Sequence, residues 1–353
     1  MPAVTFAVAG RLDAPSGGSV YNRRMAEALA KRGWTVGVQE LDDSFPFPTT
    51  AALQHASEVL SRVPSDSLVV VDGLAYGAMP DVIKKQSGRL RLIAIVHLPL
   101  AAAVGLDAEV AGRFALSERR ALAHARRVVV TGASTLSLMA DSGLSHNDVV
   151  VVEPGTDPAA LAAGSGSADV HLLTVATLNP GKGHQILIEA LALVPHRRWR
   201  LTCVGSLTRH PETTDMVRHT ISRLGLDAQV SLVGELNATD VGVRYDRCDV
   251  MVIASLRETY GMVVAEALAR GLPVVATATG AIPALVGDDA GLVVPPGDRV
   301  ALAAALSRMI DDAAFRTRSA AGARRVRERL LDWDEAAGRL ETALLAVLNC
   351  PPR

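Results

Sequence analysis

Short apolar runs rich in Val, Leu, Ile and Ala alternate with longer amphipathic stretches from one end of the chain to the other. In the first half, runs at 5–9, 36–39, 68–72, 92–97, 128–131 and 149–152 predict strands, with helices over 20–32 and 109–125 among them. The second half repeats the scheme, with strands at 171–176, 201–205, 230–233, 250–254, 274–276 and 291–294. Helices over 184–193, 215–224, 261–270 and 300–311 fall between these. The strands read as continuous hydrophobic runs, not as alternating ones, which suits parallel sheets covered on both faces. Regular strand-helix alternation predicts an α/β chain of doubly wound sheets.

The pattern restarts after Pro154-Gly155-Thr156-Asp157-Pro158 and the small-residue run 162–168, whose composition reads as a linker. Two units follow, 1–155 and 156–330, then a closing segment 331–353 that carries one amphipathic helix over 333–348. Two doubly wound units facing each other would set their strand ends on a shared interdomain cleft, where open α/β sheets bind ligands.

Composition narrows this picture. A chain of 353 residues exceeds what a single core usually fills. Aromatics are only 3% of it, so the core must be aliphatic. A formal net charge of −1 gives no electrostatic case for nucleic acid. Cys203, Cys248 and Cys350 lie far apart and match no metal spacing, which favours a reducing, cytoplasmic setting. The first ten residues run into a strand and lack a signal-peptide layout. No apolar run reaches the roughly 18 residues of a membrane span, and peripheral membrane contact stays open.

The chemistry concentrates in the segment from Arg257 to Ala276. Glu258 follows a strand, at the sheet end where ligands bind. Tyr260-Gly261-Met262-Val263 then turns into a helix, whose free N–H groups and partial positive charge favour an anion. Glu266 lies further along that helix. Ionised carboxylates are acceptor-only and suit sugar hydroxyls. A phosphate cradle between two such groups fits a sugar nucleotide.

Lys182 stands at another helix start, between Gly181 and Gly183, where phosphate can approach the backbone. The Walker pattern is absent. Gly17 and Gly18 precede the helix at 20–32 and suit a diphosphate contact, while the missing Gly-x-Gly-x-x-Gly disfavours a nicotinamide cofactor. His97 ends the run 92–97. Arg209 follows a strand end and is a candidate phosphate partner. Tyr245 reads as packing, and Asp157 as a turn cap. No Asp-x-Asp is placed to bind a divalent metal.

With these residues in place, the chain resembles the family-four group of retaining nucleotide-sugar glycosyltransferases, which have the GT-B fold of two Rossmann-like domains. The matching residues span nearly the whole chain: Gly17-Gly18, His97-Leu98-Pro99, Glu118, Lys182-Gly183, Val233-Gly234-Glu235, Ser255, Glu258 through Val275, and Thr279-Gly280. The resemblance implies that Glu258 binds donor-sugar hydroxyls and Glu266 the nucleotide ribose. Gly261, Met262 and Val263 would offer N–H groups, and Lys182 would neutralise the leaving phosphates. The backbone around Gly234 and Leu236 would flank the base, and His97 would sit beside the reacting carbon. The closing helix would return to the N-terminal domain.

One departure stands out. The family often pairs its phosphate lysine with an upstream arginine, and this chain has Thr177 there, which makes Arg209 the favoured second cation. The expected activity is retaining, metal-independent sugar transfer from a nucleoside-diphosphate sugar to an acceptor hydroxyl, with no cofactor. The rivals are a catalytically silent nucleotide-sugar-binding protein and a sugar-nucleotide epimerase of similar fold.

Overall fold

The computed structural model describes residues 1–139, 143 and 148–350. The chain divides into two compact units, Met1–Gly155 together with the chain from Leu331, and Thr156–Leu330. In unit 1 the elements run β1 (Ala3–Ala9), α1 (Gly17–Lys31), β2 (Thr35–Leu41), α2 (Thr50–Arg62), β3 (Leu68–Asp72), α3 (Gly73–Ala78) and α4 (Pro80–Gln86). They continue with β4 (Arg91–Val96), α5 (Ala108–Leu122), β5 (Arg127–Val130), α6 (Ala133–Leu138) and β6 (Val149–Val151). Unit 2 begins β7 (Val170–Val175), α7 (His184–Ala192), β8 (Trp199–Val204), α8 (Pro211–Arg223), β9 (Val230–Gly234) and α9 (Ala238–Asp246). It goes on through β10 (Val250–Ile253), α10 (Met262–Ala269), β11 (Val274–Thr277), α11 (Ile282–Val286), β12 (Gly291–Val294), α12 (Arg299–Asp311) and α13 (Ala313–Arg327). The last helix, α14 (Trp333–Leu348), belongs to unit 1.

Each unit holds a six-stranded sheet, in the orders β2-β1-β3-β4-β5-β6 and β12-β11-β10-β7-β8-β9, and every pairing is parallel. The hydrophobic runs follow from cover on both faces. In β10, Val250 and Val252 enter one core with Leu187, Ile221 and Leu306, while Met251 and Ile253 enter the other with Leu268 and Ile282. Burying such a side chain fully contributes about 1.5–3 kcal/mol, so a polar residue on either face of these strands would be costly.

The strand order reverses between β1 and β3 in unit 1 and between β7 and β10 in unit 2. At such a switch point the loops leaving the two neighbouring strands diverge, which leaves a crevice at their carboxyl ends.

Three readings of the sequence are revised. The glycine pair is not a loop before a helix over 20–32, because α1 already starts at Gly17 with Ser16 as its cap. His97 lies one residue past β4. The small-residue run after Pro158 is no loose linker. Ala162 N–H donates to Arg270 O (2.9 Å), Gly164 N–H to Asp246 O (2.9 Å), and Ser165 Oγ to Asp249 Oδ2 (2.6 Å). Small residues let a strap lie flush on unit 2, and composition does not separate that use from flexibility.

α14 packs along α1 within unit 1. Its start is fixed by a reciprocal cap between Asp332 and Glu335. Arg32 bridges its Asp334 (3.0 Å) and Glu341 (2.8 Å), and Trp333 lies edge-on to Tyr21 at 6.2 Å. Among the described residues no helix is long and apolar enough to cross a membrane.

Candidate functional site

In unit 2 the loops leaving β7 and β10 meet at the switch point. Leu256 N–H donates to Gly181 O at 2.8 Å, which ties the loops backbone to backbone one residue from Lys182 and two from Glu258. Gly183 closes the approach: at φ +66°, an added Cβ would stand 2.0 Å from Ala254 O, so only glycine fits. Lys182 Nζ then lies 2.6 Å from Glu258 Oε1, and Ser255 Oγ donates to the same oxygen at 2.7 Å. Thr277 Oγ1 holds Ser255 O at 2.5 Å, so β11 steadies the loop from beneath. The pair is partly accessible, with side chains 28% and 14% exposed, open enough for a ligand to reach.

Two helices start at this point, and no side chain caps either. α7 begins after Gly183 and α10 after Gly261, both glycines in the left-handed region (φ +66° and +94°). At other helices the first-turn N–H groups are taken by Thr49, Asp107, Asn237 or Asp298, while α4, α6, α8 and α11 also start without a side-chain cap. The first turn of α10, with Gly261, Met262 and Val263, is left without such a partner. Gly280 packs against this loop so closely that a Cβ there would lie 2.5 Å from Glu258 O.

Glu266, on α10, does not touch the Lys182–Glu258 pair. Its Oε2 accepts from Tyr245 Oη at 2.9 Å, and the same hydroxyl lies 3.3 Å from Val263 O. Tyr245 is therefore more than packing: its ring is fully buried beneath Arg270 (4.6 Å) and its hydroxyl fixes the carboxylate. Burial pushes the Glu266 carboxyl up, against the opposing pull of Tyr245 and Arg270, and the charge of Asp157 adds to the rise. Arg209 faces Glu235 Oε1 at 3.8 Å, both half-exposed. Gly234 ends β9 at φ +79°, Leu236 is partly buried against the unit 2 core, and Tyr260 is buried. A cavity of about 650 Å³ alongside α9, bounded by His171, Thr202, Arg244 and Cys248, takes in Leu236 alone of the predicted residues.

Both ring nitrogens of His184, Arg257 Nε and Thr279 Oγ1 on these loops are buried without a hydrogen-bond partner, as are atoms elsewhere in both units, Asn22 Oδ1, His97 Nε2 and Trp199 Nε1 among them.

In unit 1 the switch point brings together α1, the end of β3 and the residue after β4. Asp72 Oδ1 accepts from Leu74 N–H (2.9 Å), which caps α3, and Oδ2 accepts from Asn22 Nδ2 at 2.6 Å. His97 Nε2 is 3.7 Å from that oxygen. The ring is boxed by Tyr21, edge-on at 5.1 Å, and by Gly18, whose added Cβ would be 3.1 Å from His97 Cδ2. Burial lowers the His97 pKa, with Asp72 pulling the other way. Gly17, in the first turn of α1, has open space around it. Asp72 and Asn22 escaped the sequence reading; the signal for Asp72 was a lone acid ending the apolar run at 68–72. Among the described residues no group of three or more His, Cys, Asp or Glu is placed to hold a metal.

The family described as glycosyl transferases group 1 matches residues 162–326, the whole set of unit 2 loops above. The likeness of this chain to the group 1 glycosyl transferases lies in unit 2. Curated relatives of the chain include a D-inositol 3-phosphate glycosyltransferase of Kineococcus radiotolerans, 34% identical over 64% of this chain and 58% of the relative. An MMP alpha-(1->4)-mannosyltransferase of Mycolicibacterium hassiacum is 27% identical over 90% of this chain and 79% of the relative. The chain spans about half the length of several of the curated relatives it matches. Among solved structures, sucrose-phosphate synthase of Thermosynechococcus elongatus superposes with a TM-score of 0.80 at 21% identity, over 98% of this chain and 100% of the other. Anabaena HepE in complex with UDP and glucose gives 0.78 at 18%, over 98% and 100%. The fold of the chain is GT-B, two parallel six-stranded sheets with flanking helices.

Proposed function

We propose that the protein is a glycosyltransferase that moves a sugar from a nucleoside-diphosphate sugar to an acceptor hydroxyl with retention at the anomeric carbon. The observation that carries the reading is the Lys182–Glu258 pair at the β7/β10 switch point, set beside the uncapped start of α10. The family match and relatives named for glycosyl and mannosyl transfer support it, as does the UDP in a structural neighbour.

As the sugar–phosphate bond breaks, charge builds on the departing diphosphate. Lys182 and the N–H groups of Gly261, Met262 and Val263 are assigned to that charge, and fixed dipoles of this kind typically supply the largest share of catalysis. The proposal gives this task to protein groups and not to a metal. Glu258, already engaged by Lys182 and Ser255, is assigned to sugar hydroxyls as a positioner and not as a nucleophile. Glu266 takes the ribose, and the backbone at Gly234 and Leu236 flanks the base. Cys203 and Cys248, buried thiols pushed up to about 12, are inert and accord with a reducing cytoplasmic setting.

The test is a thermal-shift panel of uridine, guanosine and adenosine diphosphates, followed by the matching sugar nucleotides and an assay for nucleoside diphosphate release. One base should raise the melting temperature with concentration, since a ligand of the folded state stabilises by mass action. A flat panel together with no release from any donor rejects the reading.

A further inference from the structure

The Lys182–Glu258 pair has an electrostatic consequence for donor binding. A lysine held 2.6 Å from a carboxylate contributes almost no net field to an incoming anion, yet a nucleoside diphosphate brings at least two negative charges. Thr177, upstream of Lys182, carries no charge, and Arg209 already faces Glu235. One cation of these loops has no such engagement. Arg257 is half-buried, its Nε is fully buried with no acceptor, and among the described residues no carboxylate pairs with its guanidinium.

Its backbone position ties it to the site. Leu256, directly before it, is bonded to Gly181, directly before Lys182; Glu258, directly after it, holds Lys182 itself. A planar guanidinium whose Nε lacks an acceptor suits a phosphate or carboxylate. Leaving a buried Nε unmet is costly unless a ligand completes it. We propose that Arg257 is the second cation of the donor site and binds an anionic oxygen of the nucleotide-sugar donor, on its diphosphate or on a carboxylate of its sugar. This rests on the glycosyltransferase reading above. With Arg257 counted, the loop carries a net positive charge that the lysine-glutamate pair alone lacks.

The experiment is titration calorimetry on the full chain with the nucleoside diphosphate selected by the thermal panel, then with its glucose and glucuronate conjugates. Wild type is compared with Arg257→Gln, Arg257→Lys and, as a surface-charge control, Arg218→Gln. Loss of one charge-assisted contact should weaken binding about 10- to 100-fold in Arg257→Gln, with partial recovery in Arg257→Lys. A loss already seen with the bare diphosphate assigns Arg257 to phosphate, and a loss confined to the glucuronate conjugate assigns it to the sugar. Equal affinities of wild type and Arg257→Gln for all three ligands overturn the inference while leaving the donor reading intact. Should Arg257→Gln fail to fold, Arg257→Lys carries the test: its lost fork must cost at least about threefold, and wild-type affinity overturns the inference. If wild type binds no nucleoside diphosphate at all, the donor reading fails and this inference with it.

Discussion

The two units place polar side chains at the same topological address and use them in opposite ways. In unit 2, Lys182 and Glu258 are formally charged, partly exposed, and flanked by helix starts that glycines leave uncapped. In unit 1 the comparable acid, Asp72, is buried, caps its own helix and receives Asn22 at 2.6 Å, while α1 is capped by Ser16. His97 is held towards its neutral form by burial. In unit 1 both Asp72 oxygens are engaged, while Asn22 Oδ1 and His97 Nε2 are buried without a partner; in unit 2 the first turn of α10 has no side-chain cap. An uncapped helix start beside a cation is electrostatically suited to an anion.

The sharpest way to break that contrast is Lys182→Ala. Removing the cation assigned to the leaving diphosphate should lower turnover by about 10²–10³-fold, the scale seen when one preorganised charge-stabilising donor is lost. The side chain is 28% exposed and Glu258 keeps Ser255, so the melting temperature should move little. Near-normal release of nucleoside diphosphate by a folded variant would remove the charge role from unit 2.

Glu118 in unit 1 and His184 in unit 2 are buried titratable groups that pull stability in opposite directions with pH. Glu118, in unit 1, receives only Leu100 N–H, at 3.3 and 3.2 Å, and burial raises its pKa from 4.5 to about 7. The folded state then holds a proton that the unfolded chain has released. Its contribution is full below 4.5 and is lost as pH rises to 7. His184, in unit 2, has no partner for either nitrogen, and burial, aided by Lys182, lowers its pKa from 6.5 to about 4. There the unfolded chain binds the extra proton, so stability is full above 6.5 and is lost as pH falls to 4. Each effect is worth at most about 3 kcal/mol. Glu118→Gln should therefore gain on wild type between pH 4.5 and 8, and His184→Leu should gain on it as pH falls over the same range. Denaturant unfolding at the two pH values checks both, and curves parallel to wild type would show that neither buried group titrates as described.

The architecture was legible because parallel strands buried on both faces must be apolar along their length, so β3, β4 and β10 announce themselves. Lys182, Glu258 and Gly261 were legible for a related reason: each lies just past such a run, where a switch point delivers loops to one place. What stayed hidden depends on contacts between distant segments. Tyr245 looks like core from its own neighbourhood, and only folding sets its hydroxyl against a residue 21 positions away. Asp72 and Asn22 lie 50 positions apart on elements that read as ordinary strand and helix. The run after Pro158 misled because small residues serve a flexible linker and a tightly bonded strap equally well.

Tyr245→Phe isolates the mildest part of the contrast. The change removes one oxygen from a fully buried ring and leaves its packing and the Arg270 contact in place. Glu266 loses the hydrogen bond that favours its ionised form, so its carboxyl, already raised by burial, should rise further. Because Glu266 is assigned to the ribose, bound alike in ground and transition states, the cost belongs in donor KM and not in kcat. One such bond corresponds to about 1 kcal/mol, or roughly fivefold in KM, with kcat within about twofold. The KM effect should shrink as pH is raised, since a weaker acid still ionises at high enough pH. A fall in kcat at constant KM would place Glu266 with Lys182 at the breaking bond, and the division between a charged half and a neutral recognition half of the unit 2 site would have to be redrawn.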